Sequence, residues 1–332
     1  MNEKLKQKLF SNEAIVVYLI VLLSAVIGFA NPTFLSPATG INLLRTMLVT
    51  LIFALCEMIV IVSGGIDVSF PAVSCLTMIA TIRFLLETGI DSIPLTYALG
   101  ILIGAGFGAL NAFLITILRI PPLIATLAVS SITSGATLAF LGTKIYTDLP
   151  EKIDTMHKIS LFTYTNEARN EYAMTALILV PVFLCALIYF LLRHTMLGRG
   201  MYAIGGDVQA AHIVGFNVTK TRFFVYILSG AIAGIGAITY MILMRVADPK
   251  VLMGEEMMVI AAVVIGGTRI TGGHGTVAGT ILGVALLSLV KNNLIILGVP
   301  THFQTFVVGM IIVFGTSITS IRAKRIAERA KI

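Results

Sequence analysis

The sequence predicts an all-α polytopic membrane protein, a single transmembrane domain over residues 1–332, and three observations carry that prediction. Hydrophobic residues make up 57% of the 332 positions and charged residues only 12%, about half the charged share of an average soluble domain. Mean hydropathy is +0.99. The apolar residues gather into about ten runs, most near the roughly 20 residues that a helix needs to cross a bilayer. So few charges cannot clothe a soluble surface of this size, and the same composition excludes a disordered chain. Cys56, Cys75 and Cys185 lie in apolar runs and form no C-x-x-C pair. That excludes a disulfide-stapled domain and reads as three small core hydrophobes.

The runs follow one another in a clear order. The first, about Ala14 to Ala30, comes after Lys4, Lys6 and Lys8. It resembles a signal peptide, but it is long and lacks a small-x-small cleavage site, so an uncleaved first helix is expected. The second, Ile41 to Val62, is broken by Gly64-Gly65, and the third runs from Val68 to Leu86. The fourth covers Leu95 to Leu118, and Pro121-Pro122 open a fifth that ends near Leu141. A polar stretch, 142–172, precedes the sixth run, Ala173 to Leu192. A second polar stretch, 193–222, precedes the seventh, Phe223 to Met244. The eighth, Met257 to Gly267, is short for a span; irregular backbone at that depth needs shielding by protein or a water-filled cavity. The ninth is Thr276 to Ile296, and the tenth, Thr305 to Ile321, leads into a basic tail.

Ten spans place both ends on one side. Of the 23 Lys and Arg residues, 14 then fall in segments assigned to the cytoplasm, the sign of bias that sets membrane orientation. The net charge of +7 therefore reads as loop topology rather than nucleic-acid binding. Small residues recur at every fourth position: Gly100, Gly104 and Gly108; Gly230 and Gly234; Gly275, Gly279 and Gly283. Such stripes let helix backbones approach closely in lipid.

Several chemistries lack their residues. There is no G-x-x-x-x-G-K-[ST] phosphate cradle, and Gly273-His-Gly275-Thr-Val-Ala-Gly279 has the wrong spacing for a dinucleotide fingerprint. The five histidines are scattered with no i,i+4 pair, so neither a metal site nor a resident cofactor is expected. No catalytic residue is assigned. Two carboxylates stand inside apolar surroundings, where charge is costly. Glu57 lies about a turn and a half before the end of the second run and fits either a polar pathway or cation site, or a carboxylate paired within the bundle. Asp67 follows the glycine break and is placed to cap the third helix. One candidate without a relay speaks against a proton-driven carrier and for energy supplied from another chain.

The stretch 193–222 carries a further element. Gly205-Gly206 form a turn, Asp207 caps a short helix over Val208–Val214, and Gly215 ends it. The segment Tyr202-Ala-Ile-Gly-Gly-Asp-Val-Gln-Ala-Ala-His-Ile-Val-Gly215 closely resembles the corresponding loop of bacterial ABC-importer permeases of the ribose/galactoside class, which take sugars or autoinducer-2-like solutes. Val62-Ser-Gly-Gly-Ile-Asp-Val-Ser69, Ile120-Pro-Pro-Leu-Ile-Ala-Thr-Leu127 and Ile260-Ala-Ala-Val-Val-Ile-Gly-Gly-Thr268, with Gly272-Gly273-His-Gly275, resemble that family in the same order.

The resemblance implies an inner-membrane permease subunit, not an enzyme, fed by a periplasmic or lipid-anchored solute-binding protein. It implies a second permease copy, identical or different, and a separate ABC ATPase that uses ATP and Mg. Asp207, Ala210, Ala211 and Gly215 match the coupling loop. Ser63, Gly64, Gly65, Asp67, Gly266 and Gly267 match the family's glycine motifs, and with Glu57 they are candidates for the pathway. The 142–172 loop is implied to lie outside, where Asp148, Glu151, Asp154, Glu167 and Glu171 either steer a binding protein or form a solvated surface. Two stretches depart from the family: Cys56-Glu57-Met58 before the first motif and Phe70-Pro71-Ala72 after it. The alternative function is a stand-alone secondary carrier or channel for a small polar solute.

Overall fold

The computed structural model describes residues 12–166 and 169–296, with residues 303, 306, 309, 310 and 313. Helices α1 (Asn12–Ala30), α2 (Pro37–Val62), α3 (Phe70–Thr88), α4 (Ile93–Thr116) and α5 (Pro122–Ala136) follow in order, and α5 continues as a wider turn over Thr137–Leu141. After α6 (Glu151–Met156) comes a hairpin, β1 (Ser160–Thr165) and β2 (Glu171–Thr175), then α7 (Leu179–His194), α8 (Met196–Gly206) and α9 (Val208–Ile213). The described chain closes with α10 (Val218–Met244), α11 (Glu256–Ile265) and α12 (Val277–Ile296). Seven helices, α1–α5, α7 and α10, are long and apolar enough to cross a membrane. The expected tenth run lies almost wholly outside the described residues.

Local chemistry sets the helix ends. Ser36 accepts the N–H of Thr39 at 3.3 Å and Pro37 opens α2. Asn217 accepts from Lys220 at 2.9 Å at the start of α10. Thr195 does the same for α8, accepting from Gly198 at 3.1 Å. Each side-chain oxygen satisfies an N–H that the first helical turn leaves free.

α2 is the central helix, buried along nearly its whole C-terminal half, while α1 is peripheral. Leu102, Ile132 and Phe183 are exposed, as expected of side chains that face lipid tails. Association in lipid has no hydrophobic drive between helices and depends on close packing. The glycine stripes supply it. A Cβ on Gly104 would overlap the Gly230 carbonyl, one on Gly234 would overlap that of Gly100, and one on Gly108 would strike Tyr226 backbone. Helices α4 and α10 therefore touch backbone to backbone. Gly266 and Gly283 bring α11 and α12 together in the same way.

The eighth run is a short helix, as its length suggested, and two other parts differ from expectation. Helix α11 has 10 residues, about 15 Å, half of a ~30 Å hydrocarbon core. The irregular chain before it is shielded by protein, with Ala247 and Leu252 buried. Gly205-Gly206 are not a turn but the last residues of α8, a helix the polar composition of 193–222 concealed. The 142–172 stretch is no plain loop: it holds α6 and most of the hairpin, and β2 runs on to Thr175. Its Asp154 is engaged within the chain, accepting from Nε and Nη2 of Arg245 at 2.6 and 2.8 Å, so it is withdrawn from the acidic rim.

Candidate functional site

Two features meet in the middle of the fold: a glycine junction beneath α9 and a buried polar cluster beside the α2–α3 break. Both arise because α2 stops. After Val62 the chain turns at Gly64, whose φ of +84° favours glycine, and runs without helix to Ser69.

At the junction three backbones converge. The Val62 carbonyl, freed by the end of α2, accepts the N–H of Gly273 at 2.9 Å. Gly205 fills the remaining space: a Cβ there would overlap the Val62 oxygen and come within 2.6 Å of the Gly273 nitrogen. Gly272, with φ +87°, packs against Gly205 and Gly64. The Tyr202 hydroxyl donates to the Gly275 carbonyl at 2.7 Å, tying α8 to the same link. Thus the C-terminus of α8 is wedged against both broken segments, α2–α3 and α11–α12.

From this wedge α9 projects. Asp207 is extended (φ −156°, ψ 114°) and accepts the N–H groups of Gln209 at 2.8 Å and Ala210 at 3.0 Å, a cap as the sequence suggested. Gly215 ends the turn with φ +94°. Ala210, Ile213 and Val214 are exposed, whereas Ala211 is buried inside the fold. Of Asp207, Ala210, Ala211 and Gly215, Ala211 thus seats α9 on the protein and the others face outward.

The polar cluster lies deeper. Glu57 and Asp67 are both buried, and among the described residues neither forms an ion pair. Glu57 Oε1 accepts the Asp67 N–H at 3.2 Å, so this glutamate braces the returning chain. Asp67 Oδ1 accepts from the Ser69 N–H at 2.8 Å and its hydroxyl at 2.6 Å. Asp67 therefore holds the residue before α3 and does not reach the free N–H groups of the first turn, which corrects the expected cap. Asn111 of α4 donates to Ser69 Oγ at 2.8 Å, and Thr126 of α5 accepts from Val68 N–H at 3.3 Å. Tyr226 of α10 packs its hydroxyl so close to Gly65 that no side chain could stand there. Among the described residues Glu57 Oε2, Asn111 Oδ1 and the Tyr226 hydroxyl find no hydrogen-bond partner.

Sequence reasoning found Glu57, Asp67 and the glycines but missed Asn111, Thr126, Tyr226 and Tyr202. An asparagine within the fourth run was a legible signal. Tyr226 was not, because a tyrosine in an apolar run reads as core. Ser63 bonds only locally, to the Val60 carbonyl at 2.8 Å. Gly266 packs against Gly279 and Gly267 turns the chain with φ +99°. These two belong to the α11–α12 packing and do not join the polar cluster.

Known proteins place this architecture. The family described as branched-chain amino acid transport system / permease component matches residues 40–315. Ribose import permease protein RbsC of Bacillus subtilis is 32% identical over 292 residues, 88% of this chain and 87% of that protein. Probable ABC transporter permease protein YphD of Escherichia coli is 33% identical, covering 91% and 87%. D-allose transport system permease protein AlsC of Escherichia coli is 27% identical, covering 92% and 91%. No solved structure matches the chain significantly. A match across most of the sequence, on a helical fold with seven membrane-length helices, establishes the family. The chain belongs to this permease-component family of transport systems and is a multi-pass membrane transport subunit, not an enzyme.

Proposed function

We propose that the chain is the inner-membrane permease subunit of an ATP-driven importer for a sugar or sugar-like solute, with both ends in the cytoplasm, and that α9 receives the push from a separate ABC ATPase. One observation carries this reading. The exposed, capped α9 grows from Gly205-Gly206, which are wedged against both helix breaks. A displacement of α9 must therefore move the segments that border Glu57, Asp67 and Tyr226. The ATPase supplies the energy, and solute affects the balance only through different affinity for the two states. A solute-binding protein and a second permease copy complete the importer. The ligand class rests on the sugars in the relatives' names; the family description also names branched-chain amino acids.

The test is uptake into proteoliposomes holding the permease, its ATPase and the binding protein encoded beside it. ATP-dependent accumulation of labelled ribose or allose, unaffected by leucine, is expected. Val214→Asp, at an exposed position of the foot, is expected to insert normally and abolish ATP-dependent uptake. Accumulation by the purified chain alone would instead establish a stand-alone carrier.

A further inference from the structure

A cavity of about 780 Å³ opens between α9, the α4–α5 link and the first turns of α10. Its lining holds Arg119 and Arg222, with His212 beside them, and no acidic residue. The nearest acid in sequence, Asp207, is committed to the N–H groups of α9. Among the described residues neither arginine has an ion-pair partner. The rest of the lining is largely apolar, including Ile115, Ile120 and Ile213.

Arg119 has φ +56°, a left-handed conformation that side chains seldom adopt. Arg245 has the same conformation (φ +55°), and there the guanidinium grips a carboxylate, that of Asp154. Arg119 ends α4 in the same conformation, with the Ile120 N–H returning to the Leu114 carbonyl at 3.1 Å. The cavity also adjoins the lipid-facing surface: Ile117, Leu118 and Ile124, next to the link, are exposed apolar side chains. A link joining two membrane-length helices lies at a membrane face, at the level of lipid headgroups.

We propose that this cleft binds the phosphate headgroup of an anionic membrane lipid, with Arg119 and Arg222 on the phosphate and an acyl chain along the apolar wall. Basic pockets between membrane helices take such headgroups. The apolar wall favours a lipid over free phosphate, which has nothing to place there. Because α9 forms one side of the cleft, the occupant touches the foot itself.

The test is native mass spectrometry of the purified full-length permease with phosphatidylglycerol, with phosphatidylcholine of the same acyl chains, or with inorganic phosphate. Wild type is expected to retain phosphatidylglycerol over phosphatidylcholine. Arg119→Gln, at an exposed position, is expected to lower retention about fivefold, the change a single basic residue makes near an anionic surface. Arg119→Gln with Arg222→Gln is expected to lower it more than tenfold. Arg83→Gln, in the Arg83–Glu87 pair at the far end of α3, is expected to change nothing. Equal retention of the two lipids, or an equal loss in Arg83→Gln, would overturn the site. Displacement of phosphatidylglycerol by millimolar phosphate would overturn the lipid as its source. If the double variant released the ATPase but kept the lipid, a protein partner would hold the cleft and the proposal would fail.

Discussion

Gly205 lies against the carbonyl of Val62 with no room for a side chain, 143 positions apart in the sequence. Through that contact the end of α8 bears directly on the end of α2. A Cβ on its neighbour Gly206 would meet nothing within 4 Å. Gly205→Ala is therefore expected to force the junction apart, with an overpacking cost of about 1–3 kcal/mol and at least a tenfold loss of ATP-dependent uptake. Gly206→Ala is expected to stay near wild type. Uptake in proteoliposomes, normalised to protein inserted, measures both; equal behaviour would remove the junction from the coupling route.

The α4–α10 seam makes a similar contrast. A methyl on Gly104 meets the carbonyl of Gly230, while one on Gly106 meets nothing within 4 Å. Gly104→Ala is expected to destabilise the protein by about 1–3 kcal/mol, from lost helix–helix contact and strain. Gly106→Ala should leave the thermal midpoint in detergent unchanged or slightly raised, because alanine is the better helix former.

Glu57 separates charge from hydrogen bonding. Its Oε1 accepts the Asp67 N–H, and Oε2 is buried without a partner. Glu57→Gln keeps an acceptor, so folding and uptake selectivity are expected to survive. Glu57→Ala leaves a buried N–H unsatisfied at a cost of about 1–3 kcal/mol, in addition to the cavity it opens. A lower thermal midpoint for Ala than for Gln is the expected order. A change of solute selectivity in Glu57→Gln would instead put this carboxylate in the permeation path.

Acid should loosen the C-terminal end of α10. The Arg245 guanidinium bonded to Asp154 holds that carboxyl below the usual aspartate range. A carboxyl whose folded pKa is depressed contributes stability above its unfolded value, about 3.9, and loses it as pH falls through the folded value. The protection factors of amides 146–156, with the intrinsic pH dependence of exchange divided out, are therefore expected to be constant near neutrality and to fall only in strong acid. Asp154→Asn is expected to exchange faster than wild type near neutrality and to lose the acid transition.

Much of this was legible because hydropathy marks the helices apolar enough to cross a membrane, whether they face lipid or protein. The runs located α1 to α5, α7, α10 and α12, and the Asp207–Gly215 spacing announced α9. Helix α8 escaped because four glycines and an internal arginine, Arg199, give it the look of a loop; it is helical because Thr195 caps it and Gly198 and Gly205 seat it against neighbouring backbone. The carboxylates were visible one by one, but the contact between Glu57 and Asp67 is not. It depends on the chain doubling back at Gly64, a tertiary event. The bond between Arg245 and Asp154 spans 91 positions and could not be inferred from either residue.

Helix α10 runs for 27 residues, about 40 Å, with α9 joined to one end and the Asp154–Arg245 pair fixed to the other. It behaves as a single strut through the bundle, fused to α4 along its length. Events at the two membrane surfaces therefore need no chain of intermediates between them: a tilt at one end is already a tilt at the other.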